Sequence, residues 1–260
     1  MTSARSLLRA CYALIVTLTG LGCGSPLYLG SDLIWSAQHE SGSLAEWTDD
    51  PGSFLIATDS AAASISDAHA RRGHSALSIT RNPMDQEGGP AIGHAADLPQ
   101  AAYYGAWLFL RDHYALATYW TILQFRSLGS AADPNSSQRG ADLRLRRLPQ
   151  GQFVLYVFQH DDDYLQYPLA DPPPFVPVSQ WFHVEVFFRH ATDTTGVIRV
   201  WLDGRLVYDL PPRRTAVGLR PWFGVASESD DTGPVALELL ADDVTISHSR
   251  ATPDELLDPP

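Results

Sequence analysis

Short β-rich runs separated by clusters of turn residues dominate this chain. After the N-terminal segment, no run of about ten residues or more has the apolar periodicity of a helix. The dipeptide Asp203-Gly204 separates two such runs and predicts a tight hairpin, because glycine accepts the positive φ that a two-residue turn demands. Many closely spaced strands without interleaved helices predict an all-β sandwich or jelly roll. The runs predicted as strands are Phe54–Thr58, Ala76–Thr80, Tyr103–Leu110, Trp120–Arg126, Asp142–Arg147, Phe153–Phe158, Trp181–Arg189, Val197–Leu202, Leu206–Asp209, Trp222–Ala226 and Val235–Ser247.

The charge balance limits the partners that this chain can take. It has 260 residues, a length that suits one large β domain, and a formal net charge of −12 at pH 7. Its basic residues are all arginine, because the sequence contains no lysine. A body this acidic is a poor electrostatic match for nucleic acid, although a local arginine-lined site still allows an acidic glycan.

The N-terminal segment has the features of an export signal. Arg5 and Arg9 precede an apolar stretch from Cys11 to Leu21, which is too short to span a bilayer and is followed by small residues. Residues 1–22 are therefore predicted to be a signal peptide. One interpretation has the signal cut before Cys23, whose thiol is then acylated; Gly20 stands where a lipobox usually has leucine. Ordinary signal cleavage nearby is the alternative.

The cysteine content favours the lipoprotein interpretation. Cys11 lies inside the predicted signal, so Cys23 would be the only cysteine of the mature chain and could form no internal disulfide. Acylation accounts for this single exported thiol. The predicted organisation is then a lipidated tether over residues 23–32, a glycan-recognition domain over 33–250 and a tail over 251–260. The expected location is the cell envelope, at the outer membrane or the cell surface, with the lipid anchor as the sole membrane contact.

Alternation along the strands sorts polar and apolar side chains onto opposite faces. The apolar faces predict a core, and the other faces are rich in arginine, histidine and aromatic residues. Arginine binds carboxylates or sulfates through paired N–H groups, and aromatic rings stack on sugars. The polar faces therefore predict a groove for an acidic polysaccharide, while an ordinary wet sheet face remains the alternative. The glycan-binding candidates are Arg144, Arg146, Arg189, Arg199 and Trp201.

Four segments carry a resemblance to a known family. The segments begin at Ile34, Trp120, Trp181 and Leu239, and the third continues into the run from Gly196 to Val207. Together they resemble concanavalin A-like jelly rolls related to heparin lyase-type bacterial polysaccharide lyases, over roughly residues 33–248. The resemblance implies a jelly-roll β-sandwich of two antiparallel sheets.

The same resemblance implies candidate catalytic residues. A lyase that eliminates across a uronic acid needs a group that neutralises the carboxylate, a base, and an acid for the leaving oxygen. By resemblance Gln124 would be the neutraliser, but Arg126 occupies the position where those lyases carry histidine. Arginine stays protonated and cannot be a base. The base is then sought among Tyr156, His160 and His183.

A structural calcium site is also implied by the resemblance. Glu40 near the start of the domain and Asp242 and Asp243 near its end would supply oxygen ligands, which suit Ca²⁺. An ordinary turn carboxylate and a solvated strand pair are the alternative.

The sequence thus predicts an exported lipoprotein that recognises an acidic polysaccharide. An active polysaccharide lyase and a non-catalytic structural or adhesive envelope protein are the alternatives. A glycoside hydrolase is disfavoured, because it needs two facing carboxylates and only Glu185 is placed on a polar strand face.

Overall fold

The computed structural model describes residues 32–49, 53–56, 62–83, 89–95, 98–112, 114, 118–127, 139–160, 165–216, 221–230 and 235–250. The signal peptide, Cys23, most of the tether and the tail lie outside these ranges. The strands in chain order are β1 (Leu33–Ala37), β2 (Phe54–Ile56), β3 (Ala62–Ser66), β4 (Ala76–Arg81), β5 (Ala91–His94), β6 (Ala101–Leu110), β7 (Trp120–Ser127), β8 (Arg139–Arg147), β9 (Phe153–His160), β10 (Leu165–Gln166), β11 (Phe175–Val176), β12 (Trp181–Arg189), β13 (Val197–Leu202), β14 (Arg205–Asp209), β15 (Pro221–Ser229) and β16 (Leu237–Ser247). A single-turn helix, α1 (Ala45–Thr48), follows β1.

The strands form two antiparallel sheets of eight strands each. Sheet A has the order β14-β13-β12-β6-β16-β4-β3, with β1 also paired to β16. Sheet B has the order β10-β9-β8-β7-β15-β5-β2, with β11 also paired to β9. Strands distant in sequence are neighbours in both sheets, as in a jelly roll, and the predicted all-β sandwich is confirmed.

Alternating apolar residues bury the facing sides of the two sheets. Tyr104 and Phe188 of sheet A meet Phe125 and Phe223 of sheet B, and the rings of Phe125 and Phe188 stack with centroids 4.8 Å apart. All four side chains are fully buried or nearly so. Each buried aromatic side chain contributes on the order of 2–3 kcal/mol of transfer free energy. The polar faces of both sheets are thereby turned away from the core.

The predicted hairpin has the expected turn. Asp203 and Gly204 connect β13 to β14 with φ of 48° and 76°. Both values lie in the left-handed region that a tight hairpin requires, which explains why this dipeptide stands here. Among the described residues, no helix has the length and apolar character needed to cross a bilayer.

Candidate functional site

A charged cluster lies on the face of sheet B that points away from the core, and we call it the Asp142 cluster. It consists of Gln124, Arg126, Asp142, Arg144, His160 and Glu228. Strand register builds it: Asp142 of β8 lies opposite Gln124 of β7 and opposite Phe158 of β9. Residues two apart on a strand share a face, so these three strands bring together every member except Glu228, which lies on β15.

Asp142 is the centre of the cluster. Its fully buried carboxylate accepts two hydrogen bonds from Arg126, Nε to Oδ1 at 3.0 Å and Nη2 to Oδ2 at 2.8 Å. Arg144 Nη2 reaches Oδ2 at 2.9 Å, and His160 Nε2 lies 2.6 Å from the same oxygen. Burial alone would raise the pKa of Asp142, but the Arg126 charge and the His160 hydrogen bond hold it well below its usual range. Asp142 is therefore a permanent anion that orients two arginines and a histidine.

Arg126 is a structural cation in this arrangement. Its guanidinium is buried, and the attraction of Asp142 and Glu228 outweighs desolvation and raises its pKa above the ordinary value. It therefore stays charged at neutral pH. Because both of its carboxylate partners are within 3.2 Å, Arg126 links β7 to β8 and β15.

His160 is the most accessible titratable partner of Asp142, with 18% of its side chain exposed. The Asp142 carboxylate can only accept, so the Nε2 atom of His160 carries the proton in their hydrogen bond. In the neutral ring Nδ1 is then the acceptor nitrogen. The Phe158 ring meets the imidazole edge to face at 5.0 Å, which limits its rotation.

Glu228 joins the cluster through irregular strand pairing. Its Oε2 accepts from Gln124 Nε2 at 2.6 Å and from Arg126 Nη2 at 3.2 Å. The register of β15 against β7 shifts between Val225 and Glu228, so that Glu228 lies opposite Thr121. The sequence did not identify this residue or Asp142. Strand alternation alone does not reveal the bulge that places Glu228. Glu185, the one acidic residue expected on a polar face, is therefore not the only one among the described residues.

A second bulge corrects the predicted faces of β7. Simple alternation along β7 would place Trp120 and Ile122 on the face of Gln124 and Arg126, but both side chains are buried in the core. The register against β8 shifts between Thr121 and Leu123, and the extra residue reverses the alternation. Trp120 Nε1 donates instead to Ser227 Oγ at 3.0 Å.

Aromatic side chains flank the arginines of this face. The Arg144 guanidinium lies 4.0 Å from the Tyr119 ring centroid and 3.8 Å from that of Phe158. Arg146 lies 5.6 Å from the ring of Tyr156. Burial raises the pKa of Tyr156, and burial followed by the Glu228 charge raises the pKa of Tyr119 to about 12. Both phenols therefore stay protonated at neutral pH and can donate, not accept, a proton.

The remaining polar candidates belong to sheet A, on the opposite side of the sandwich. His183 is buried beside the Trp107 ring, and burial, Arg71 and Arg250 lower its pKa to about 3. The Trp201 ring is covered by the guanidinium of Arg250, at 4.3 Å from the ring centroid. Two arginines predicted for the same groove, Arg189 and Arg199, are also on this sheet, on β12 and β13.

The structure therefore divides the predicted groove between two faces. Gln124, Arg126, Tyr156 and His160 lie together with Arg144 and Arg146 on sheet B, whereas His183, Arg189, Arg199 and Trp201 do not. Alternation assigns a side chain to one side of its own strand, but it does not say which strands share a sheet. That pairing is a property of the tertiary structure.

The residues predicted to hold calcium make contacts with protein donors. Asp243 Oδ2 pairs with Arg71 Nη1 at 2.7 Å, and Asp242 Oδ2 accepts from the Arg71 backbone N–H at 2.9 Å. Glu40 accepts from the backbone N–H of His74, at 3.0 Å to Oε2. No group of three His, Cys, Asp or Glu side chains suited to a metal occurs among the residues that the structure describes. The calcium site stays a prediction.

The two antiparallel eight-stranded sheets define a jelly-roll β-sandwich, and the Asp142 cluster lies on its sheet B. Among solved structures, one similar chain is an endo-β-1,4-glucuronan lyase from the fungus Trichoderma reesei. The TM-score is 0.65 at 16% identity, over 85% of this chain and 99% of that one. A PL-14 alginate lyase from Aplysia kurodai gives a TM-score of 0.58 at 15% identity, over 84% of this chain and all (100%) of that one.

A cellulose induced protein, Cip1, gives a TM-score of 0.58 at 18% identity, over 83% of this chain and 97% of that one. No protein-family model matches the sequence, and a search of curated proteins finds no match. At these identities the comparisons establish the fold. The predicted resemblance to polysaccharide lyases is confirmed at that level.

Proposed function

We propose that the protein binds an acidic polysaccharide on the outer face of sheet B, with the Asp142 cluster as the centre of the site. One observation carries the proposal. Three arginines and a histidine, flanked by three aromatic rings, converge on one face of a protein whose net charge is −12. Such local positive charge on an acidic body selects for anionic ligands.

The chemistry of these side chains fits a uronic acid. Arg146 and His160 are half-buried and can meet a sugar carboxylate at the surface. Tyr119 and Phe158 are also half-buried, and their rings can stack on the apolar face of a pyranose. The solved structures that share the fold include proteins named as glucuronan and alginate lyases, whose named polysaccharides are built from uronic acids.

Binding is tested by calorimetry of the purified protein against polyglucuronate, alginate and a neutral glucan. We expect saturable binding to an acidic polymer that weakens as salt is added, and none to the neutral polymer. The Arg146→Gln variant should lose most of the affinity. The matched control is Arg199→Gln, which removes an exposed arginine of sheet A and should leave the affinity unchanged. Absence of binding to every polymer would instead support a structural or adhesive envelope role.

A second candidate is an active lyase, favoured by the hydrogen bond between His160 and Asp142. In β-elimination a base takes the C5 proton, a C4–C5 double bond forms, and the bond to the C4 oxygen breaks. His160 Nδ1 would take the proton, Arg144 would neutralise the carboxylate, and Tyr156 or Tyr119 would protonate the leaving oxygen. Gln124, the neutraliser implied by resemblance, donates instead to Glu228. Asp142 would fix the imidazole tautomer.

Ultraviolet absorbance of the unsaturated product separates cleavage from binding. Sustained product from a uronate that is lost in His160→Gln, with binding retained, would establish the lyase. Binding without product would limit the protein to recognition of that polymer. A hydrolase is not supported, because its general acid needs a raised pKa and that of Asp142 is lowered.

The proposal places this domain outside the cell, attached through lipid at Cys23. It rests on the sequence features of the signal segment alone. Mass spectrometry of the mature protein from a bacterial host should find an acylated N-terminal cysteine, and Cys23→Ser should release the protein from the membrane fraction. An unmodified thiol at Cys23 would remove the anchor.

A further inference from the structure

Glu228 places a negative charge at the edge of a site that otherwise attracts anions. Its side chain is 20% exposed, and it is brought there by the bulge in β15. We infer that Glu228 is a specificity-determining residue, which restricts the site to non-sulfated polyuronates and rejects densely sulfated glycans. This inference rests on the proposed function of the same face.

The charges of the site support this assignment. Three arginines, Arg126, Arg144 and Arg146, stand against the two carboxylates of Asp142 and Glu228, which leaves an excess of one positive charge. Asp142 is fully buried and serves to hold Arg126 and Arg144. Glu228 is the carboxylate that an incoming sugar meets. An excess of one positive charge can be neutralised by one carboxylate, which is the charge that each uronic acid residue carries.

The contacts of Glu228 set which donors a ligand can use. Its Oε2 accepts from both Gln124 Nε2 and Arg126 Nη2, so these two donors are directed at Glu228. A ligand carboxylate must then bind through Arg144, Arg146 or His160. A sulfate group on the neighbouring position would approach Glu228 itself, and like charges in contact are strongly unfavourable in a partly dehydrated site.

The field of Glu228 reaches across the face. Burial and then the Glu228 charge raise the pKa of Tyr119, whose ring covers Arg144. A group that stacks on Tyr119 is therefore close to both Glu228 and Arg144. The aromatic subsite and the carboxylate of Glu228 therefore act on the same ligand.

The test compares affinities for polyglucuronate or alginate with those for heparin, in the wild type and in Glu228→Gln. We expect the wild type to prefer the polyuronate. Glu228→Gln should raise the affinity for heparin about 10-fold or more, and change that for the polyuronate by less than about 3-fold, because like-charge repulsion is relieved only for the more highly charged ligand. The salt dependence of heparin binding should also steepen.

Two further variants control the result. Glu238→Gln removes a carboxylate of similar exposure, 22%, on β16 of sheet A, where it pairs with Arg111, and it should keep the wild-type preference. Glu228→Asp retains the charge and should also reject heparin, which separates charge from local packing. If the wild type binds no acidic polymer, the proposed function fails. If it binds the polyuronate but the ratio to heparin is the same in Glu228→Gln, only this inference fails.

Discussion

Replacing Asp142 with asparagine should strongly destabilise the protein. The carboxylate is fully buried and receives four hydrogen-bonding groups: two from Arg126 and one each from Arg144 and His160. Asparagine keeps the shape but removes the charge, leaving two buried guanidinium groups without their shared anion. Breaking one partner out of a buried ion pair costs about 3–5 kcal/mol.

The expected loss is large enough to measure as a melting shift. For a domain of this size each kcal/mol lowers Tm by about 2–4 °C, so Asp142→Asn should melt about 6–20 °C below the wild type. Circular dichroism or calorimetry at pH 7 measures it. The matched control is Asp209→Asn, which breaks the exposed pair with Arg199 (46% and 52% exposed) and should cost less than about 1 kcal/mol.

The effect has a defined pH dependence. The folded-state pKa of Asp142 is depressed from 3.8, so its stabilising contribution is present above that pH and is lost as the pH falls through the folded value. The difference in free energy of unfolding between wild type and Asp142→Asn should therefore narrow as the pH falls below about 4. An Asp142→Asn protein within about 1 kcal/mol of the wild type at pH 7 would refute the view that this carboxylate holds the cluster together.

Three further predictions follow from other parts of the molecule. Because protein N–H groups already surround the predicted calcium ligands, EDTA should change Tm by less than about 1 °C; a rise of several degrees with added Ca²⁺ would instead support the calcium site. The pKa of His183 is lowered from 6.5 to about 3, so the unfolded chain binds the proton first and stability falls as the pH drops through that interval. His183→Gln should remove about 2 kcal/mol of the loss between pH 7.5 and pH 5, measured by urea unfolding, and an unchanged loss would contradict the neutral state of His183. Gly140→Ala would place a Cβ 1.9 Å from the Phe125 carbonyl oxygen, which forces β8 away from β7. We expect a cost of about 3 kcal/mol and weaker polysaccharide binding, and a fully stable variant would argue against this close approach.

The positions of the main strands were predictable because their cause is local. Alternating β-branched and aromatic residues favour extended backbone, and glycine-containing turns end it, as the Asp203-Gly204 hairpin illustrates. Strands with weaker patterns, such as β3 and β5, went unpredicted. Alanine, glycine and serine make up much of both strands, and pairing with β4 and β15 supplies the order that composition does not.

Several polar residues of the site could also be identified from the sequence. Gln124, Arg126, Tyr156 and His160 were identified as candidates, and they lie on one face of sheet B. His183 was grouped with them because strand alternation is the same in either sheet. Only the pairing of β12 with β6 and β13 assigns it to the opposite side of the sandwich.

Asp142 and Glu228 show most clearly what the sequence alone cannot predict. Their roles depend on contacts between β7, β8 and β15, and on two bulges that reverse local alternation. A bulge is chosen by how two strands fit, not by the residues of one strand. Strand positions and the supply of arginine and aromatic residues thus follow from local sequence, whereas the site itself arises when non-local strand pairing brings those residues to one face.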